Sequence, residues 1–249
     1  MKNPESTQFG ERNVSADEKT ALVRGVFDSV ADNYDLMNDL MSGGIHRIWK
    51  NHFIRKIKPK PGLAYLDVAG GTGDIAFRIK EKIGQNQNIT LCDLNWDMLR
   101  VGRDRAVDKG WINDFEWVTG NAESLPLPSN SFDIYTISFG LRNVTRIDDA
   151  LKEAYRVLKP GGRFFCLEFS HVDNPALSKL YDSYSYNVIP KIGKTVANDE
   201  ESYRYLVESI RKFPKQAQLV QRLKQARFER VFYENLSFGV AAIHKALKV

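Results

Sequence analysis

Taken as a string of apolar and polar positions, the chain changes texture near Leu63, where short apolar runs begin to alternate with stretches of helical period. "LAYLDV" predicts a buried strand, followed by a glycine turn and the helical "DIAFRIKEKI". "NITLCDL" predicts a second strand, with a helix from about Trp96 to Lys109. "FEWVTG" and "FDIYTISF" give a third and a fourth. A helix over Ile147 to Leu158 then ends at "KPGGR", and "FFCLEF" is the fifth strand. This rhythm predicts an α/β fold, a doubly wound and mainly parallel sheet. The final "FERVFYENLSFGVAAIHKAL" reads as two strands around "ENLS". Such an antiparallel hairpin departs from the usual dinucleotide fold, whose later strands are parallel.

Upstream of Leu63 the pattern is different. Residues 1–14 are polar and expected to be loose, and "SADE" at Ser15 to Glu18 has the form of a capping box. Behind it Leu22, Val26 and Val30, flanked by Phe27 and Ala31, predict an amphipathic helix ending near Asn33. Residues 175–212 are aromatic-rich and read as an irregular insertion with helical pieces. Pro214 suits the first turn of a helix carrying Leu219, Val220 and Leu223.

Composition narrows the class without naming it. A chain of 249 residues with 43% hydrophobic and 27% charged residues is expected to fold as one large globular domain. No apolar run approaches the length of a membrane span, and "MKNPESTQFGERN" has no secretory core, so cytoplasm is the expected compartment. Cys92 and Cys166 sit apart in apolar runs and read as reduced core thiols. The four histidines show no ligand spacing, so no metal is expected. The net charge of +5 falls partly on a cluster between Arg204 and Arg230. Most such clusters are solvated faces; a functional one would suit an anionic membrane at least as well as nucleic acid.

Candidate chemistry begins at "LDVAGGTGD", which puts Asp67 at a strand end and Gly70, Gly71, Thr72 and Gly73 before a helix. Glycines there let a ligand approach main-chain amides at the helix N-terminus. The loop is ambiguous, since Gly71-x-Gly73-x-x-Ala76 also satisfies the dinucleotide fingerprint, and a plain βα turn would serve as well. Asp93 ends the second strand where an acid can accept both ribose hydroxyls, which favours an adenosine ligand. In "NAESLPLP", Asn121 is placed to accept from an adenine amine while the Ala122 amide donates to the ring; taken alone, Asn121 is equally a loop residue with local bonds. With "RVLKPGGRF" and the terminal hairpin, these features mark an S-adenosylmethionine methyltransferase more than a dehydrogenase.

At these residues the chain resembles a known family, the ubiquinone/menaquinone biosynthesis C-methyltransferases. "YDLMNDLMSGGIHRIW" and "RVLKPGGRFFCLEFS" are similar to its two long signature segments, and "LDVAGGTGD", "NAESLPLP" and "SFGLRNV" follow it too. The likeness runs from about Gly10 to the end. It implies a Rossmann-like class I fold with N-terminal helices (1–57) as cover, a cofactor-binding core (63–170), an insertion (175–212) and a C-terminal helix and hairpin (213–249). It implies S-adenosyl-L-methionine as cofactor, held by Thr72, Asp93, Asn121, Ala122 and Ser138, with Asp67, Gly71 and Gly73 completing the loop. It implies a polyprenylated benzoquinol or naphthoquinol as substrate; the segment 175–212 is a candidate for contact with the inner-membrane surface or for a homodimer or quinone-biosynthesis complex, among which the sequence does not choose.

Physics adds that the substrate must be reduced, because a quinone ring is electrophilic. A deprotonated quinol hydroxyl pushes charge onto its ortho carbon, which can displace the methyl group. Ionising a phenol of pKa about 10 at neutral pH costs roughly 4 kcal/mol, and a buried cation nearby recovers about 1 to 3 pKa units. "SFGLRN" puts Arg142 and Asn143 just beyond strand four, so Arg142 is expected to stabilise the phenolate. Arginine stays charged and is a poor base, which leaves a water held by Arg142 and Asn143, or His46, to take the proton. The same stretch lacks the Asn-Pro-Pro-aromatic segment of enzymes that methylate base amines. Tyr34 to Trp49 is expected to roof the reaction, with Tyr34 and His46 facing it, Met37, Leu40 and Met41 packing, and Gly43-Gly44 as hinge. Plain core packing is the bland reading of those methionines and Trp49. The rivals are a nicotinamide dehydrogenase, a methyltransferase acting on a phospholipid amine or sterol, and a non-enzymatic scaffold that kept only the fold.

Overall fold

Four near-continuous apolar runs form the middle of a seven-stranded sheet in the computed structural model, which describes residues 6–10, 12–30, 39, 42–84, 89–172 and 200–249. Strands β3 (Tyr65–Val68), β4 (Ile89–Asp93), β5 (Phe115–Thr119), β6 (Phe132–Ser138) and β7 (Leu158–Phe169) are parallel, and β8 (Glu229–Leu236) and β9 (Ala241–Leu247) are antiparallel. The order is β5-β4-β3-β6-β7-β9-β8. Strands buried on both faces have no polar side to show, which is why β3, β4 and β6 read as solid rather than alternating runs.

Helices cover both faces. Helices α2 (His46–Ile57), α3 (Asp74–Ile83) and α4 (Trp96–Asp108) pack with α6 (Glu200–Lys212) on one side, where Phe53, Ile79, Leu99 and Leu206 meet Tyr65 and Phe165. On the other, α5 (Ile147–Val157) and α7 (Gln216–Gln225) bring Leu151, Val157 and Leu219 against Leu66, Tyr135 and Phe164. The strand order reverses between β3 and β6. A crevice opens at such a reversal, beyond the carboxyl ends of the strands.

The N-terminal region departs from expectation. Strands β1 (Ser6–Phe9) and β2 (Arg12–Ser15) pair as a ribbon in place of the expected loose lead. An aromatic contact hidden from local pattern anchors it: the Phe9 ring stacks on Tyr205 of α6 at 4.1 Å. Ser15 does cap α1 (Ala16–Val30), accepting from the Glu18 amide at 3.2 Å, but the buried face carries Lys19, Val23 and Val26 while Leu22 is only half-buried. Residues 200–212, at the end of the insertion expected to carry helical pieces, form the helix α6. Pro214 stands ahead of α7 rather than in its first turn, and Lys215 is the cap.

Candidate active site

The glycine loop is set by backbone geometry. Ala69 takes φ 51°, and Gly73 takes φ 86° as the N-cap of α3. A side chain at Gly140 would put its Cβ 2.4 Å from that of Ala69, so Gly140 is what lets the loop after β6 lie against the loop after β3. Asp93 fastens the arrangement. Its Oδ2 accepts from the Gly71 amide and its Oδ1 from the Asn95 amide, each at 2.8 Å. Burial pushes its carboxyl up, against the pull of these backbone N–H groups. Each oxygen keeps a lone pair, as pairing with two ribose hydroxyls requires. Asn95, which sequence reading passed over, caps α4 by accepting from Asp97 and Met98.

A cavity of about 110 Å³ lies at this crevice, with Gly71, Asp93, Asn121, Ala122, Phe139 and Asn143 among its walls. Thr20, Val23 and Arg24 of α1 close it from above. Asn121 uses Oδ1 to accept from the Glu123 amide at 2.9 Å, a local turn that leaves one lone pair for a ligand. The other expected cofactor residues stand behind the wall. Ser138 ends β6, its hydroxyl buried and without a hydrogen-bond partner among the described residues. Asp67 lies beneath the loop; Thr136 donates to its Oδ1 at 2.7 Å, and burial lifts its pKa to about 7. Thr72 is buried and opens instead on a neighbouring cleft shared with His46, Asp74 and Arg78.

The expected catalytic residues among those described fall in three separate cavities. Asn143, in the 3-10 turn Leu141–Asn143, reaches the cofactor cavity, and its Oδ1 accepts from the Tyr205 hydroxyl at 3.1 Å. Arg142 turns the other way, into a second cavity with Lys19, Thr145 and Tyr205. Its side chain is fully buried, and Nη1 pairs with Glu168 Oε1 at 2.8 Å and donates to the Phe139 carbonyl. Glu168 Oε2 accepts from the Arg142 amide at 3.2 Å. Nε and Nη2 have no hydrogen-bond partner among the described residues. Burial pushes Glu168 up while the guanidinium pulls it down. Glu168 was legible as the one acid inside "FFCLEFS", and a lone acid in a buried strand demands a cation.

His46 opens α2 with Nε2 2.8 Å from Asp39 Oδ1, and burial, followed by the Lys50 charge, lowers its pKa to about 4. It is therefore neutral at pH 7, and Nδ1 has no hydrogen-bond partner among the described residues. Gly43 and Gly44 take φ 59° and 79° ahead of it. Tyr34, Met37, Leu40 and Met41 lie outside the described residues. Cys92 and Cys166 are free and buried, with the Cys92 thiol pushed up to about 12. Among the described residues no group of three or more His, Cys, Asp or Glu could hold a metal ion.

Known proteins share both fold and sequence with this chain. An S-adenosylmethionine-dependent methyltransferase from Thermotoga maritima, a possible histamine N-methyltransferase, superposes with TM-score 0.61 at 20% identity over 90% of this chain and 99% of its own. The [4+2]-cyclase SpnF superposes with TM-score 0.62 at 19% identity over 80% of each, so fold alone does not fix the reaction. Sequence does more. The ubiquinone/menaquinone biosynthesis C-methyltransferase UbiE of Brucella abortus is 56% identical over 97% of this chain and 90% of its own length. Its namesake in Brucella anthropi is 55% identical over 97% and 92%. With the profile of the ubiE/COQ5 methyltransferase family matching residues 13–248, the chain belongs to that family.

Proposed function

We propose that this S-adenosylmethionine-dependent C-methyltransferase of ubiquinone and menaquinone biosynthesis methylates the carbon ortho to an ionised hydroxyl of a polyprenylated benzoquinol or naphthoquinol. What carries the reading is Asn143: it stands at the cavity wall, held by Tyr205, one residue from a buried arginine with two donors to spare. S-adenosylmethionine, when bound, supplies the electrophilic methyl group. Asp93 would hold the ribose, Asn121 and the Ala122 amide the adenine, and Gly71, Gly73, Thr72, Asp67 and Ser138 the loop and strand ends around them.

Arg142, which lines the neighbouring cavity, would favour the phenolate by its charge rather than by contact, with Glu168 balancing it on the far side. Asn143 would orient the ring oxygen or a water that takes its proton. The ring carbon gains the methyl and loses its own proton, so one proton is released per turnover. His46, neutral at pH 7, offers its Nδ1 lone pair as an acceptor, and Tyr34 belongs to the roof in this reading. The working place is the cytoplasmic surface of the inner membrane; no described helix is long and apolar enough to cross one.

The test mixes purified protein, methyl-labelled cofactor and reduced precursors of both ring types, with lipid products read by mass spectrometry. Label on a ring carbon of quinol but not of the oxidised quinone is expected. Label only on a phospholipid amine or sterol, or on no lipid, would overturn the assignment.

A further inference from the structure

Three large apolar side chains are left in water at one corner of the molecule. Phe238 is 77% exposed, Ile48 64% and Ile45 41%. They adjoin: Trp49 donates to Ser237 Oγ at 3.0 Å, and His52 and Lys56, further along α2, reach Glu234 of β8. Ile45 and Ile48 share one side of the helix start, three residues apart. The corner has a definite place on the sheet. Register sets Leu236 opposite Ala241, and Ala241 opposite Phe169, the last residue of β7. The Ser237–Gly239 turn therefore lies at the same end of the sheet as Ser138, Asp93 and the cofactor cavity.

The exposure of Phe238 is enforced by the backbone. Ser237, Phe238 and Gly239 take φ of 47°, 59° and 94°, three successive residues in the left-handed region. Two of them carry side chains that disfavour it. Strain that holds an aromatic ring away from the core points to something that receives the ring.

We propose that Ile45, Ile48 and Phe238 form a foot that enters the headgroup region of an acidic bilayer, setting the mouth of the active site against the membrane. This rests on the reading above that the substrate carries a polyprenyl tail, which resides in that bilayer. Charge plays only a minor part. Helix α2, "HRIWKNHFIRKI", contains Arg47, Lys50, Arg55 and Lys56 and no acid. Asp39, Asp74 and Glu234 already hold Arg47, Lys50 and Lys56, and Lys50 is itself buried, so the electrostatic share is small and the apolar side chains carry the binding. The foot is separate from the basic cluster of α6 and α7, where Lys215 and Arg222 line a different cleft.

The experiment is cosedimentation of the full chain with vesicles of phosphatidylglycerol and phosphatidylethanolamine, against vesicles of phosphatidylcholine alone. Wild-type protein should pellet with both, only somewhat more with the acidic vesicles, and Ile48→Gln/Phe238→Asn should weaken both partitions by about tenfold or more. Glutamine suits an exposed helix and asparagine a left-handed turn, so the fold survives; an unchanged melting point and S-adenosylhomocysteine affinity check it. Phe232→Ser, on exposed β8, should change nothing. Equal pelleting of wild type and double variant overturns the proposal, as does loss confined to Lys215→Gln/Arg222→Gln. A wild-type dimer that the double variant abolishes, seen by light scattering with no vesicle binding, makes the foot a contact between copies and overturns it too. Methyl transfer to a short-tailed, water-soluble quinol should be the same in both proteins. Its absence in wild type would reject the substrate reading and leave the vesicle result standing.

Discussion

Arg142 and Glu168 show what one buried charge requires. Each is removed from water, and each is tolerable only because the other is 2.8 Å away. Glu168→Gln keeps the shape and an acceptor but leaves the guanidinium without its counter-charge. A loss of about 3 kcal/mol or more in urea unfolding is expected. Arg142→Met/Glu168→Leu should lose less than that, because it removes both charges together. Tyr205 acts more gently. Tyr205→Phe deletes one hydrogen bond to Asn143, worth about 1 kcal/mol of stability. If that bond aims Asn143, kcat should drop several-fold while the KM for cofactor holds; equal kcat values would mean that Tyr205 only packs against Phe9.

At the scale of elements, the site depends on two loops that touch. Gly140→Ala should push the Ala69 loop out of register and weaken S-adenosylhomocysteine binding by about tenfold or more, because the new methyl has no room. Ala69→Gly removes the opposing methyl from a left-handed position and should restore affinity in the double variant; calorimetric titration of the three proteins decides it. The βα units were legible because their signals are local. "DIAFRIKEKI" is α3 residue for residue, and Trp96 opens α4 as its period predicts. What was not legible is held by distant partners. The β1–β2 ribbon is fixed by Phe9 on Tyr205, and the buried face of α1 is chosen by the cavity it covers. The site shows the same division. Asp93 and Asn121 announce themselves at strand ends, whereas the turning of Arg142 toward Glu168 requires β6 and β7 to be neighbours.

For the molecule as a whole, acid should be destabilising through its histidines. Burial lowers His244 to about 4, and His46 likewise. Between an unfolded pKa of about 6.5 and those folded values the unfolded chain binds more protons, so stability falls as pH falls and levels off below about 4. Asp67, lifted to about 7, acts with the opposite sign over much of the same range. A single substitution isolates the histidine share: His244→Gln should flatten the decline by about 1.4 kcal/mol per pH unit, read from urea midpoints between pH 7 and 4.5. Ligand should act in the other direction. S-adenosylhomocysteine at a hundred times its Kd adds about 2.7 kcal/mol, which for a chain of this size raises Tm by about 5 to 10 °C. No shift in a thermal scan would mean that the crevice does not hold the cofactor.

The place of β9 has a consequence for how the molecule comes into being. It is inserted between β7 and β8, so it is made after both of its neighbours. While the ribosome is still synthesising the stretch before Ala241, β7 has a bare outer edge and β8 has no partner in the main sheet. The half of the sheet that borders Arg142 and Glu168 can set only after Ala241–Leu247 has left the ribosome, and the growing chain needs protection from edge-to-edge aggregation until then.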